Sequence, residues 1–214
     1  MVLNSFSFPQ MIHLPRLYAI VDAANLVDSD RLLAHAEELL AGGVTLLQYR
    51  NKADDARTIL EHAQRLRQLA GASCRLIMND RADLCLAAGF DGVHVGQDDL
   101  SPEGARRVIG PKLWLGVSTH NPEQLASADE TSANYVAIGP IFATTSKAKA
   151  DLVVGLDGLR QARKLTDKPL VAIGGITRAK ARSVIEAGAD SVAVIADLLV
   201  DPRKSAEEFF AVLG

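Results

Sequence analysis

Two apolar rhythms alternate along this chain. Eight short runs are apolar nearly throughout, at residues 17–21, 45–49, 75–78, 92–95, 114–117, 135–138, 170–173 and 191–194. Parallel strands buried on both faces read this way. Between the runs, apolar positions recur at helical spacing. Leu32, Leu33, Ala36, Leu39 and Leu40 form one stripe; Ala56, Ile59, Leu60, Ala63, Leu66 and Leu69 form another. Glycines punctuate the stripes at Gly42-Gly43, Gly71, Gly110 and Gly188. Strand and helix signals thus alternate roughly every 25 residues, the pitch of successive βα units. Eight such units predict an α/β fold, a (β/α)8 TIM barrel, as a single domain over residues 16–214. The competing arrangement is an open doubly wound sheet, which seldom needs eight units this regular.

Composition narrows the class. The 214 residues suit one domain, and no Pro/Ser-rich linker marks a second. With 48% hydrophobic and 23% charged residues the chain can bury a sizeable core. A net charge of −3, without basic runs interleaved with aromatics, argues against a nucleic-acid partner. No apolar run reaches membrane-spanning length. Cys74 and Cys85 lack the spacing of a zinc or redox motif, which fits a reducing, cytoplasmic setting. Residues 1–15 lack the basic start and apolar stretch of a signal peptide. They read as an N-terminal extension that lies on the barrel's bottom or is poorly ordered.

In such a barrel the residues after each strand gather at one mouth. Gln48, Arg50 and Lys52 alternate at the second strand's exit, so on an extended chain they point to one side. Two cations and an amide suit a clamp on a pyrophosphate and a polar ring, and unpaired cations in a barrel mouth favour a bound anion. The plainer alternative is a solvated strand exit. Asn79 and Asp80 follow the third strand, Asp98 and Asp99 the fourth. Neighbouring carboxylates repel unless a cation lies between them, and Mg2+ takes one or two carboxylates plus phosphate oxygens. Asp80 and Asp99 are the pair for that role, with Asp98 competing for the second place. Helix N-capping is the other use for either side chain. Ser118 follows the fifth strand.

The sixth strand breaks into Gly139-Pro140-Ile141-Phe142-Ala143-Thr144-Thr145-Ser146-Lys147. Backbone N–H groups, hydroxyls and a lysine suit a phosphate; they also suit an ordinary solvated loop. Gly174-Gly175 ends the seventh strand, where barrels often hold phosphate, although a tight turn needs glycine too. Ile195-Ala196 ends the eighth. His94 and His120 lie near strand ends without a metal-ligand partner and read as packed or hydrogen-bonded. No Gly-x-Ser-x-Gly or Cys/His constellation marks a covalent nucleophile.

Taken in order, these motifs resemble the thiamine-phosphate synthase family from about Leu17 onward. They are Gln48-x-Arg50-x-Lys52, Asn79-Asp80, Val93-His94-Val95-Gly96-Gln97-Asp98-Asp99, Gly116-Val117-Ser118, the Gly139–Lys147 loop and Ile173-Gly174-Gly175-Ile176. The resemblance implies two small-molecule substrates, 4-amino-2-methyl-5-hydroxymethylpyrimidine diphosphate and 4-methyl-5-(2-hydroxyethyl)thiazole phosphate, joined to thiamine phosphate with release of pyrophosphate. It implies that Gln48, Arg50, Lys52 and Asn79 hold the pyrimidine diphosphate and that Asp80 and Asp99 bind Mg2+. Ser118 would touch the pyrimidine and the departing diphosphate, and Lys147 would reach that diphosphate. Arg50, Lys52, Ser118 and Lys147 form the implied catalytic set. Thr144, Thr145, Ser146, Gly175, Ile195 and Ala196 would receive the thiazole phosphate. Ser146 stands where the family often has Thr and keeps the hydroxyl. Ala196 stands where it often has Ser, which a backbone N–H contact tolerates and a hydroxyl contact does not.

The implied route is dissociative. Diphosphate leaves a pyrimidine methylene cation, the thiazole nitrogen attacks it, and a lid at residues 141–155 keeps water out. Related readings on the same barrel are a thiazole tautomerase-like paralogue and a non-catalytic thiazole phosphate-binding regulator; a phosphosugar isomerase is a more distant one. Nothing in the sequence sets the oligomeric state.

Overall fold

The structure, a computed structural model, describes residues 12–26, 28–144 and 152–214. Its strands are β1 (Leu17–Asp22), β2 (Leu46–Arg50), β3 (Arg75–Asn79), β4 (Gly92–Val95), β5 (Trp114–Thr119), β6 (Tyr135–Ile138), β7 (Leu170–Ile173) and β8 (Ser191–Val194). Each pairs in parallel with the next, and β8 returns to β1, so the sheet closes into the expected (β/α)8 barrel. The helices are α1 (Ser29–Ala41), α2 (Ala56–Ala70), α3 (Ala82–Ala87), α4 (Pro102–Ile109), α5 (Pro122–Asp129), α6 (Gly155–Arg163), α7 (Arg178–Glu186) and α8 (Pro202–Leu213). Local chemistry starts several of them. The side chains of Asp28, Asp55, Ser101 and Asn121 each accept from a first-turn amide of α1, α2, α4 and α5. Among the described residues no helix is long and apolar enough to cross a membrane.

The core has two parts, divided by the period-2 alternation of the strands. One parity (Ala19, Val21, Leu47, Tyr49, Leu76, Met78) packs outward against the helices. The other fills the barrel: Tyr18, Ile20, Leu46, Ile77, Tyr135, Ala137, Val171 and Ala193, joined by Ile12 from ahead of β1. The inward parity of the first five strands turns polar toward their ends, through Asp22, Gln48, Arg50, Asn79, His94 and Ser118. The apolar start and polar end of the same strands place the candidate site at the carboxyl end of the barrel.

Candidate active site

The strand-2 exit carries the first charges. Gln48 is buried, and its Nε2 donates to Tyr18 Oη at 2.8 Å. Arg50 Nη1 donates to Asp22 Oδ2 at 2.6 Å, across the β1–β2 pairing that sets these two residues side by side. Lys52 Nζ lies 2.8 Å from Asp80 Oδ2. Neither cation of the expected clamp is therefore unpaired in the free protein. That corrects the expectation of bare charge at the mouth, because the end of β1 and the residue after β3 each supply a carboxylate. Asn51 turns away from the mouth. Its Nδ2 donates to Tyr49 Oη and Asp54 Oδ2, and its Oδ1 accepts from the Ala53 and Asp54 amides, which shapes the turn carrying Lys52.

Asp80 and Asp99 meet at the exits of β3 and β4 and line one cavity of about 380 Å3 with Leu100 and Val108. Neither caps a helix: Arg81 precedes α3 without a side-chain cap bond, and Ser101 caps α4. Burial and then the contact with Asp99 hold the Asp80 carboxyl above the usual range, against the pull of Lys52. Burial also opposes charge on Asp99, but its contacts with Asp80, the Gly96 amide and Lys52 outweigh this and hold it below the usual range. Asp99 Oδ2 accepts from Gly96 N at 2.8 Å, which aims its carboxylate at Asp80. Two touching carboxylates, Asp99 favoured as the charged member and Asp80 disfavoured, are a fitting donor set for a small hard dication. Among the described residues no three His, Cys, Asp or Glu gather as a metal cage. The remaining ligands of such an ion would be substrate oxygens and water.

Asn79 is buried beside this pair, and its Nδ2 has no hydrogen-bond partner among the described residues. Ser118 Oγ lies 2.8 Å from His94 Nε2, and its carbonyl accepts from Gln97 Nε2 at 2.7 Å. His94 is hydrogen-bonded as expected, yet both its ring nitrogens are engaged within the polar layer of the site.

The opposite side of the mouth is built from β6, β7 and β8. Ile141 N and Phe142 N donate to Ile173 O and Gly174 O, extending the β6–β7 pairing into the loop. Val154 N and Gly155 N return to Pro140 O and Ile141 O and close the loop's base. Gly174 and Gly175 have φ of 98° and 63°. A Cβ on Gly174 would stand 2.6 Å from Pro140, and one on Gly175 2.6 Å from Ala143 O. These glycines thus admit the β6 loop itself. Thr144 is half-buried; Thr145, Ser146 and Lys147, in the middle stretch of the expected lid (residues 145–151), lie outside the described residues. Ile195 is half-buried, and Ala196 opens a single 3₁₀ turn (Ala196–Leu198). Sequence reasoning did not single out Asp22, Tyr18 or Tyr135. Asp22 was findable as the first polar residue after the apolar run 17–21; the two tyrosines sit inside apolar runs.

The chain also resembles proteins already known. A family model described as thiamine monophosphate synthase matches residues 17–198. A thiamine-phosphate synthase of Koribacter versatilis is 65% identical over 205 residues, 94% of this chain and 97% of that protein. One of Chloroflexus aurantiacus is 48% identical over 181 residues, 84% of this chain and 83% of that protein. The solved thiamine phosphate pyrophosphorylase of Pyrococcus furiosus matches with a TM-score of 0.83 at 34% identity, covering 92% of this chain and 95% of that one.

Proposed function

The chain belongs to the thiamine monophosphate synthase family, and on that footing we propose that it joins 4-amino-2-methyl-5-hydroxymethylpyrimidine diphosphate to 4-methyl-5-(2-hydroxyethyl)thiazole phosphate, releasing pyrophosphate, in the cytoplasm. The observation that carries the reading onto this chain's own residues is the buried, unpartnered Asn79 amide beside two paired cations. A buried donor left without an acceptor costs roughly 1–3 kcal/mol. An acceptor on the pyrimidine diphosphate relieves that cost.

Gln48 and Asn79 orient this substrate, and Arg50, Lys52 and Lys147 meet its diphosphate. Before it arrives, Arg50 and Lys52 rest on the carboxylates of Asp22 and Asp80. Lys52 is half-exposed and moves from Asp80 to the diphosphate. Asp80 and Asp99 would hold Mg2+, which when bound would neutralise charge on the leaving diphosphate. Ser118 donates its hydroxyl to the departing group. The aminopyrimidine spreads the positive charge left on its methylene carbon, and the thiazole nitrogen attacks that carbon. Thr144, Thr145, Ser146, Gly175, Ile195 and Ala196 hold the thiazole phosphate, while residues 141–155 exclude water.

Purified protein mixed with both substrates and Mg2+ should form thiamine phosphate and pyrophosphate in equal amounts. Thiazole phosphate binding without turnover would make the chain a binder, and isomerisation of a thiazole alone would make it a tautomerase. Calorimetry tests the clamp. Arg50→Ala should weaken pyrimidine diphosphate binding by the ~1.5–3 kcal/mol of a charge-assisted hydrogen bond and leave thiazole phosphate binding unchanged. Equal losses for the two ligands would misplace the clamp.

A further inference from the structure

A row of polar side chains crosses the barrel interior from β2 to β5. Gln48 Nε2 donates to Tyr18 Oη at 2.8 Å. Tyr18 Oη and Tyr135 Oη are 3.0 Å apart, Tyr135 Oη is 3.1 Å from His94 Nδ1, and His94 Nε2 is 2.8 Å from Ser118 Oγ. Gly116 makes room for it: a Cβ there would stand 2.2 Å from Tyr135 Cζ and 2.4 Å from His94 Nδ1.

Counting protons gives the row a direction. An amide nitrogen only donates, so Tyr18 Oη accepts from Gln48. Among the described residues the Tyr18 hydroxyl touches only Gln48 and Tyr135, and the residue is 1% exposed. If Tyr135 donated to Tyr18, the Tyr18 proton would be stranded, at a cost of roughly 1–3 kcal/mol. Tyr18 therefore donates to Tyr135. Among the described residues Tyr135 in turn has one acceptor left for its own proton, His94 Nδ1. Burial pushes both phenols above their ordinary range, so both keep their protons. With Nδ1 accepting, the neutral ring carries its proton on Nε2 and gives that hydrogen bond to Ser118 Oγ.

We propose that Tyr18 and Tyr135 are positioning residues that, through this one-way row, hold His94 as the neutral Nε2–H ring and turn the Ser118 hydroxyl proton toward the substrate. Only what Ser118 faces rests on the synthase reading; the tautomer does not. Neither tyrosine touches the reacting atoms. Tyr135 sets the donor at Ser118, and Tyr18 also holds the Gln48 amide.

Nitrogen-15 NMR of the full chain without substrate tests this, with the His94 signals identified by their loss in His94→Gln. The wild-type ring should show a protonated Nε2 and a bare Nδ1 at neutral pH. In Tyr135→Phe the two signals should move toward those of an exchanging ring. Its kcat should fall roughly tenfold or more, while KM for thiazole phosphate stays within about twofold. Tyr18→Phe should keep the tautomer, because Tyr135 still donates, and raise KM for pyrimidine diphosphate by freeing Gln48. A wild-type ring protonated on Nδ1 overturns the proposal, as does an unchanged kcat in folded Tyr135→Phe. If Tyr135→Phe does not fold, the wild-type spectrum decides. An Nε2–H ring in a wild-type protein that makes no thiamine phosphate would sink the synthase reading and leave the row standing.

Discussion

Asp80 carries three local disadvantages. It is a non-glycine residue at φ 62°, a region that costs such residues about 1–3 kcal/mol. It is partly buried, and it faces a second carboxylate. Its one cationic partner among the described residues, Lys52, is 51% exposed, so that pair contributes about 0–1 kcal/mol. A residue so placed is held for chemistry more than for stability. Asp80→Gly removes the strain and the repulsion together. The variant should melt at the same temperature or a few degrees higher. Its turnover at ordinary Mg2+ should fall roughly a hundredfold or more. Thermal melts and a Mg2+ titration check both halves. A clear drop in melting temperature would make Asp80 a structural residue, and full wild-type activity in excess chelator would remove the metal. Asp80 and Asp99 were legible in the sequence because a polar residue directly after an apolar run has few reasons to be there. The left-handed backbone of Asp80 was not, since no glycine or asparagine signals it. Tyr18 and Tyr135 were hidden for another reason. A tyrosine inside an apolar run reads as core, and these hydroxyls find each other across 117 residues of chain.

At the scale of elements, the apolar runs and the strands coincide at β4, β6, β7 and β8. At β1, β3 and β5 the strands continue past the apolar run, into Asp22, Asn79 and Ser118-Thr119. Apolarity reports burial, whereas strand pairing continues wherever the inward side chain reaches the polar mouth. The strand ends least legible by hydrophobicity are thus the ones that carry the site. The β6–β7 corner shows a second limit. Gly174-Gly175 marked a tight place, but its tightness comes from the neighbouring loop, which only the fold brings near. Gly175→Ala must push Ala143 away and adopt a positive φ, which costs an L residue about 1–2 kcal/mol. The loop expected to hold thiazole phosphate then shifts. Its KM should rise roughly tenfold, the equivalent of about 1.4 kcal/mol, with little change in KM for pyrimidine diphosphate. Steady-state kinetics with each substrate varied in turn decides. Equal rises would show general loosening of the barrel.

The whole molecule separates stability from chemistry along the barrel axis. At the carboxyl end the interior is polar, strained at Asp80 and left with the orphan donor of Asn79. Toward the other end it is apolar, and Trp114, at the start of β5, lies under the Arg75 guanidinium at 4.1 Å from the ring. Ile12, shortly before β1 where the strands begin, is 7% exposed and packs with Leu14 into the interior cluster. Barrels of this type place catalysis at the carboxyl ends of the strands and use the opposite end for stability. Ile12→Ala removes buried methyl groups from that end and leaves a space the rigid barrel cannot fully close. It should cost about 2 kcal/mol and lower the melting temperature by roughly 4–8 °C. Both KM values and kcat should stay at wild-type levels, because the substitution lies at the end away from Gln48, Asn79 and His94. Denaturant melts and steady-state kinetics on the same preparation test the separation. A fall in kcat without loss of stability would mean that packing at the closed end is felt at the mouth, and the division of the barrel into two independent ends would fail.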